Sequence, residues 1–148
     1  LGGNPFFLLQ ATVGSGNPLE QEPNDSAASA QELTAVATVP GAFFTEGNLA
    51  GADVDWYSLP LPSNHNRISA VCAANTIGSG LLGVKIELFT QAEAAIANDT
   101  DIAGEPAFIE TATIPGGTST ILVKVSKTGQ DSTNTGDFYR CGFRTARE

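Results

Sequence analysis

Two short segments of the chain are rich in side-chain oxygens: EQEPND at residues 20–25 and GADVDWY at residues 51–57. The carboxylates and the amide in question are Glu20, Glu22, Asn24, Asp25, Asp53 and Asp55. A mixture of carboxylate and amide oxygens is the ligand set that Ca²⁺ prefers, at about six to eight oxygens per ion. Paired carboxylates also serve acid–base catalysis. A run of charged residues on a protein surface, by contrast, usually just faces water. Three interpretations are therefore open: a metal site, catalytic machinery or a solvated linker.

The distribution of charge favours the metal site. The net charge is −9, and the first basic residue is Arg67, so residues 1–66 carry seven carboxylates and no lysine or arginine. Carboxylates that meet without a base nearby repel one another and raise each other's pKa values. If the two acidic segments meet, their five carboxylates favour a bound cation, and two calcium ions would nearly neutralise them. We therefore predict a calcium site, on the condition that the segments meet.

The same negative field bears on the partners of the protein. It repels phosphate backbones and anionic lipid surfaces, so nucleic acid is not an expected partner. No apolar run approaches the roughly 20 residues that span a bilayer. The longest run, PFFLLQATV at residues 5–13, is interrupted by Gln10 and Thr12. We expect a soluble chain without membrane insertion.

Residues for catalysis are sparse. The only histidine is His65, in the turn sequence SNHN, and no G-x-S-x-G motif presents a serine nucleophile. We expect His65 to be a solvated loop residue. A zinc site would need clustered His and Cys ligands, and Glu20 and Glu22 lack the rigid cleft that raises one pKa of a catalytic pair. We therefore expect a protein that is not an enzyme.

A second acidic stretch, NDTDIAGE at residues 98–105, lacks most ligands of a calcium loop and is expected to be a polar strand connection.

Short runs of alternating apolar residues, bounded by turn residues, predict an all-β fold. About eight such strands predict a single-domain β-sandwich of jelly-roll type with at most one short helix. The apolar positions expected to share core-facing sides of these strands are Tyr57, Leu59, Leu61, Leu82, Val84, Ile86, Leu88, Ile121, Val123 and Val125. Residues 26–34 favour one or two helical turns after an N-cap serine, whereas residues 91–98 are expected to be a strand connection.

Trp56, the only tryptophan, alternates with Tyr57 and Leu59. Because successive side chains of a strand point to opposite faces, we expect Trp56 on the outer face or under a loop. An exposed tryptophan there could stack on a sugar ring or a peptide, so Trp56 is the candidate ligand-binding residue. Packing beneath a neighbouring strand is the alternative.

The two cysteines lie in segments that predict strands, RISAVCAAN and DFYRCGFRT. Alternation points both sulfurs into the core. The residues that share a face with them are Ile68, Ala70, Ala74, Tyr139 and Phe143. Two buried thiols and a disulfide are both compatible with this pattern, and export from the cytoplasm would favour the disulfide. We predict the bridge Cys72–Cys141, which would stabilise the fold by about 4 kcal/mol on the chain-entropy model.

Five motifs occur along the chain in a recognisable order: EPNDS followed by AQEL, then GADVDWYSLPLP, LLGVKIELF, ATIPGGTSTILVKVS and TGDFYRCGF. In this order they resemble the bacterial pre-peptidase C-terminal domain family, to which clostridial collagen-binding domains are similar. The resemblance covers roughly residues 20–145. It divides the chain into an N-terminal extension or first strand at residues 1–19 and a domain at residues 20–148. It implies a jelly-roll β-sandwich of secreted bacterial proteins, often attached to peptidases without being catalytic.

The resemblance also implies a calcium ligand set. In collagen-binding relatives, a Glu-x-Glu-x-Asn-Asp segment and a later aspartate-rich turn hold the ion. The first is matched here by Glu20, Glu22, Asn24 and Asp25, and the second is best matched by Asp53 and Asp55. The cysteine pair departs from the general pattern of the family, and no peptidase lies within these residues.

Three functions are compared on this basis. The first is a noncatalytic, calcium-binding module that attaches to an extracellular polymer, either a matrix protein or a polysaccharide. The second is a structural or folding module of a larger secreted protein without a polymer ligand. The third is a hydrolase with a cleft at His65 or at a carboxylate pair. We favour the first, with a secreted or cell-surface location in a bacterium and the periplasm as the alternative.

Overall fold

The computed structural model describes residues 19–101, 105–129 and 137–148. Within these ranges the chain forms nine strands. They are β1 (Gln31–Glu32), β2 (Ala42–Asn48), β3 (Val54–Pro60), β4 (Arg67–Ala73), β5 (Val84–Thr90), β6 (Ala95–Thr100), β7 (Ala107–Thr113), β8 (Thr120–Lys127) and β9 (Phe138–Ala146). The helical segments among the described residues are two 3-10 turns, Ala27–Ser29 and Asn75–Ile77. The predicted N-terminal extension or first strand at residues 1–19 lies outside the described ranges except for Leu19.

The strands form two sheets. The five-stranded sheet has the order β1-β3-β8-β5-β6, and the four-stranded sheet has the order β2-β9-β4-β7. From β2 to β5 successive strands alternate between the sheets, and all pairs are antiparallel except β1 with β3. This arrangement confirms the predicted all-β sandwich and is consistent with the double-sheet jelly-roll type.

The alternating apolar residues fill the space between the sheets. Tyr57 and Leu59 of β3 are fully buried, as are the equivalent positions of the central strands β5 and β8. Their neighbours along each strand point outward, which is the period-two pattern of a sheet with one buried face. The prediction was wrong at Leu82, which precedes β5 and is 59% exposed, because the chain there is not yet in the strand and Leu81 is buried instead. Leu61 follows β3 and packs against the core while partly exposed.

The predicted disulfide is confirmed. Cys72 of β4 and Cys141 of β9 lie directly opposite each other in neighbouring antiparallel strands and are bonded. Both are almost completely buried, which agrees with the faces assigned by alternation.

The two segments with helical propensity differ in outcome. Ser26 caps the turn Ala27–Ser29, and Ser29 returns a hydrogen bond to the Ser26 backbone. The turn ends at Ala30, after which the chain pairs with β3 as β1. In residues 91–98 the connection is shorter than predicted, because the second half of the segment begins β6. The described residues contain no helix with the length and apolarity needed to cross a membrane.

Candidate metal centre

The segment that contains EQEPND lies between β2, the edge strand of the four-stranded sheet, and β3 of the five-stranded sheet. On the four-stranded side, the Glu20 N–H donates to the Glu46 carbonyl at 2.9 Å. On the five-stranded side, the Trp56 N–H donates to the Asn24 carbonyl at 2.8 Å. The backbone thus attaches residues 20–24 to β2 and to β3, and the attachment brings the first acidic segment next to the second.

Five carboxylates meet where the two segments meet, and they form two overlapping groups. In one group Glu20, Glu22 and Asp55 each place an oxygen within 4.8 Å of the others. In the other group Glu22, Asp25 and Asp53 do the same. Glu22 belongs to both groups. The condition on which the sequence-based prediction depended is therefore met, and we call these five carboxylates together with Asn24 the acidic cluster.

Strand β3 and the turn before it position the two aspartates. Asp55 lies on the inward face of β3, two residues before Tyr57, and is completely buried. Asp53 lies in the preceding turn, where its N–H donates to the Ala50 carbonyl at 3.2 Å. Gly51 in this turn has φ of +62°, a conformation that side chains with a Cβ rarely adopt. The carboxylates of both aspartates come close to those of the segment at residues 20–25.

Asn24 is completely buried within the cluster. Its N–H donates to Glu22 Oε2 at 2.9 Å. One end of its side-chain amide lies 3.1 Å from Glu22 Oε2 and 3.0 Å from Asp55 Oδ1. The amide nitrogen occupies this end, because it then donates hydrogen bonds to both carboxylates, whereas the oxygen would face only acceptors. Asn24 therefore joins Glu22 to Asp55.

The electrostatics of the cluster are those of crowded, partly buried acids. Burial, with the charges of Glu20 and Asp53, raises the pKa of Asp55 to about 8. Burial, a hydrogen bond with Asp25 and the neighbouring carboxylates raise the pKa of Asp53 to about 6. Burial also raises the pKa of Glu20, although the Asn48 N–H donates to its Oε2 at 2.7 Å and acts in the opposite direction. Among the described residues, no lysine or arginine forms an ion pair with these five carboxylates.

A chain of buried hydroxyl groups connects the cluster to the interior of the sandwich. The Tyr139 hydroxyl donates a hydrogen bond to Asp55 Oδ2, and it shares a second hydrogen bond with the Tyr57 hydroxyl. The Tyr57 hydroxyl in turn forms a hydrogen bond with the side chain of Thr45. The two tyrosines were predicted only as core residues. The signal that could have identified their polar role is that a buried tyrosine hydroxyl usually has a hydrogen-bond partner.

Gly47 also has a role in the site that the sequence did not indicate. It lies in β2 opposite Tyr139, and a Cβ at this position would overlap Glu20 Oε2 and the Tyr139 hydroxyl. The glycine therefore leaves the space in which the Glu20 carboxylate approaches the Asp55–Tyr139 pair.

Trp56 lies on the outer face of the five-stranded sheet, as alternation predicted, and is partly exposed. Its ring stacks with that of Phe89, with centroids 5.4 Å apart and planes at 30°. Lys124 Nζ lies 5.9 Å from the centroid of the Trp56 ring. Trp56 is thus outside the acidic cluster, although it is the next residue after Asp55.

The other sequence candidates lie apart from the cluster. His65 Nδ1 is 2.7 Å from Thr145 Oγ1 and is partly buried, rather than fully solvated as predicted. The stretch at residues 98–105 is not a simple connection, because its first residues belong to β6. Asp99 Oδ2 accepts from the Phe108 N–H at 2.7 Å. Asp101 is 7% exposed, and neither of its carboxylate oxygens has a hydrogen-bond donor in the described part of the chain.

No protein-family model matches the chain, and no curated protein matches it in sequence. Solved structures match it in fold. PliG from Aeromonas hydrophila, a periplasmic inhibitor of g-type lysozyme, aligns over 88% of this chain and 100% of its own, with 11% identity and a TM-score of 0.52. Carbohydrate-binding module CBM36, in complex with calcium and xylotriose, aligns over 66% of this chain and 77% of its own, with 19% identity and a TM-score of 0.38. CsCBM6-3 from Clostridium stercorarium, in complex with cellobiose, aligns over 90% of this chain and 99% of its own, with 9% identity and a TM-score of 0.37. At these identities the likeness to PliG concerns the fold alone.

Proposed function

We propose that the chain is a noncatalytic, calcium-binding module of an exported bacterial protein, of the pre-peptidase C-terminal type, and that it attaches this protein to an extracellular polymer. The observation that carries the calcium part is the convergence of five carboxylates and a buried asparagine at one place between the sheets. The motif order along the sequence supports the family part.

The residues of the acidic cluster suit calcium in number and kind. Glu20, Glu22 and Asp55 would hold one ion, and Glu22, Asp25 and Asp53 a second. Asn24 would supply an amide oxygen to the first in place of the hydrogen bonds that its amide donates to Glu22 and Asp55 without metal. Calcium accepts such mixtures of carboxylate and amide oxygens in flexible geometry. A bound cation would also lower the raised pKa values, because it favours the ionised form of each carboxylate. Its role would be to fasten residues 20–25 to both sheets.

The outer face of the five-stranded sheet is the surface that we assign to polymer attachment. Trp56 and Phe89 form a stacked pair there, with Lys124, Lys85 and Glu87 beside them. Partly exposed aromatic rings next to hydrogen-bonding side chains fit a sugar ring or an extended peptide. The face includes β3, the strand that also carries Asp55, so calcium binding and this surface share a structural element.

A pull-down on insoluble collagen and on insoluble polysaccharides, in calcium and in chelator, tests the proposal. We expect retention on one of these polymers in calcium, reduced in chelator and lost in the Trp56→Ala variant. Phe44→Ala is the matched control, because it removes a partly exposed ring from β2 in the opposite sheet. Equal loss in both variants would contradict the assignment to the Trp56 face.

The second candidate is a structural module without a polymer ligand. It is favoured by the fact that Trp56 already contacts Phe89 and Lys124, which could be its whole role. On this alternative, calcium stabilises the fold, no polymer retains the protein, and Trp56→Ala lowers stability without changing retention. The same pull-down, combined with thermal melts of the two variants, separates the candidates.

A further inference from the structure

The outward side chains of the five-stranded sheet form rows that cross the strands. One row consists of residues that lie opposite one another on β3, β8, β5 and β6, namely Trp56, Lys124, Glu87 and Asn98. Because neighbouring strands lie about 4.8 Å apart, this row is roughly 14 Å long. It joins an aromatic ring at one end to charged and amide side chains along the rest of its length.

The aromatic end of the row is a flat apolar surface above β8. The rings of Trp56 and Phe89 come from the strands on either side of β8 and stack with their centroids 5.4 Å apart. Leu122 of β8 is only 8% exposed although it points outward, because the two rings meet above it. Such a surface suits a sugar ring. Peptide recognition by a sheet uses an unpaired edge strand instead, and β3, β8 and β5 are all paired on both sides.

Glu87 holds two lysines beside this surface. Its Oε1 accepts a hydrogen bond from Lys85 Nζ at 2.8 Å, and its Oε2 lies 3.7 Å from Lys124 Nζ. Lys124 Nζ is also 5.9 Å from the centroid of the Trp56 ring. One carboxylate thus faces two ammonium groups, which leaves one positive charge in excess next to the aromatic surface. The exposed carboxylate of Glu32 lies two strands away from β8, at the edge of the sheet.

We propose that Lys124 selects the polymer that this face binds, and that the polymer is a polysaccharide with carboxylated sugar rings. The inference rests on the proposed attachment surface and adds the chemical class of its ligand. A sugar ring stacks on Trp56, and its carboxylate accepts a charge-assisted hydrogen bond from Lys124, which Glu87 holds beside the indole. The net charge of −9 opposes an anionic polymer. Charges beyond about 8 Å are largely screened at physiological ionic strength, so the adjacent lysine decides.

Binding to short oligogalacturonides fixed on beads, and to the same oligomers after methyl esterification, tests the inference in calcium. The two ligands share one sugar backbone and differ in the charge of their carboxyl groups. We expect the parent protein to bind the carboxylated form about tenfold more tightly, the value of one hydrogen bond to a charged group. Lys124→Gln should lose this preference. Arg144→Gln is the matched control, because it removes an exposed positive charge from β9 in the opposite sheet, and it should keep the preference.

The possible outcomes separate the inference from the proposed function. If both forms bind equally and Trp56→Ala abolishes binding, the attachment surface stands and the role of Lys124 is wrong. If neither form binds, while another polymer retains the protein through Trp56, the carboxylated ligand is wrong and the attachment surface stands. If no polymer retains the protein, the proposed function is wrong and the inference with it.

Polyglutamate on the same beads tests whether a sugar ring is needed. It carries carboxylates on a peptide backbone, so we expect weak binding that does not change in Trp56→Ala. If it binds as tightly as the oligogalacturonides, and Lys124→Gln abolishes this binding, the face recognises an acidic peptide and the polysaccharide assignment is wrong.

Discussion

The Tyr139 hydroxyl donates a hydrogen bond to Asp55 Oδ2 across 84 residues of sequence. The bond joins β9 of one sheet to β3 of the other, inside the sandwich and next to the acidic cluster. Because Tyr139 is buried and also bonded to Tyr57, its hydroxyl has a fixed position from which it orients the Asp55 carboxylate. The cluster therefore extends from the core, at Asp55, to the surface, where Glu22 and Asp25 are exposed.

The first prediction concerns Asp55→Asn and calcium. Saturating calcium should raise the melting temperature of the parent protein, since a ligand that binds only the folded state at a hundredfold excess over its Kd stabilises by about 2.7 kcal/mol. For a domain of this size that corresponds to roughly 5–10 °C. The variant should lose this rise, because it removes the most deeply buried charge of the proposed site. Thermal melts in calcium and in chelator measure both.

The metal-free stability of this variant provides the control. Burial raises the pKa of Asp55 to about 8, so without metal the side chain is mostly protonated at neutral pH and resembles an asparagine. We therefore expect Asp55→Asn to melt close to the parent in chelator. Identical melts of the parent in calcium and in chelator would contradict the calcium site.

The second prediction concerns pH in the absence of metal. The folded-state pKa values of Asp55 and Asp53, about 8 and about 6, lie above their ordinary value of 3.8. The folded protein then binds more protons than the unfolded chain, and the contribution of these groups to stability is lost as pH rises. Urea unfolding in chelator should show this contribution decline between about pH 4 and pH 8. In calcium the decline should flatten or reverse, because the ion binds the ionised carboxylates. A calcium-free profile that Asp55→Asn leaves unchanged would contradict the assignment.

The third prediction compares Tyr139→Phe with Tyr57→Phe. The first removes the donor to Asp55 and should destabilise the protein by about 1–3 kcal/mol, the usual cost of leaving a buried polar group unsatisfied. It should also weaken calcium binding, since the hydroxyl both orients Asp55 and lowers its pKa. The second removes a hydroxyl one step further from the cluster. It should lower stability with a smaller change in calcium affinity, as measured by calorimetric titration. Equal affinities in both variants would mean that Tyr139 has only a structural role.

The fourth prediction concerns Gly47→Ala. The added methyl group would overlap Glu20 Oε2 and the Tyr139 hydroxyl, so one of them must move away from Asp55. We expect lower stability and a smaller calcium-induced rise in melting temperature. Gly116→Ala is the matched control, because nothing lies within 4 Å of a Cβ at that position and no positive φ constrains it. A normal calcium response in Gly47→Ala would show that Glu20 does not contribute to the site.

The sequence predicted the core through the alternation of the strands. Tyr57, Val84, Ile121 and Cys72 point inward as their spacing required, because the period of two follows from backbone geometry alone. The error at Leu82 arose at a strand boundary, where the alternating pattern begins before the pairing does. The extra strand β6 was missed because alanine-rich residues 95–97 carry no strong preference for a strand and are ordered by pairing with β5.

The acidic residues, the two cysteines and the outward position of Trp56 were all determined by the sequence, because residue types and strand periodicity are local properties. Whether residues 20–25 meet Asp53 and Asp55 was decided only by the tertiary structure. Alternation assigns each side chain to a face but does not order the strands within a sheet. The closeness of Tyr139 to Asp55, and of Gly47 to Glu20, depends on that order and on how the two sheets pack. The cluster was therefore a conditional prediction from sequence, and the pairing of residues 20–24 with β2 and β3 is the physical reason that its members lie together.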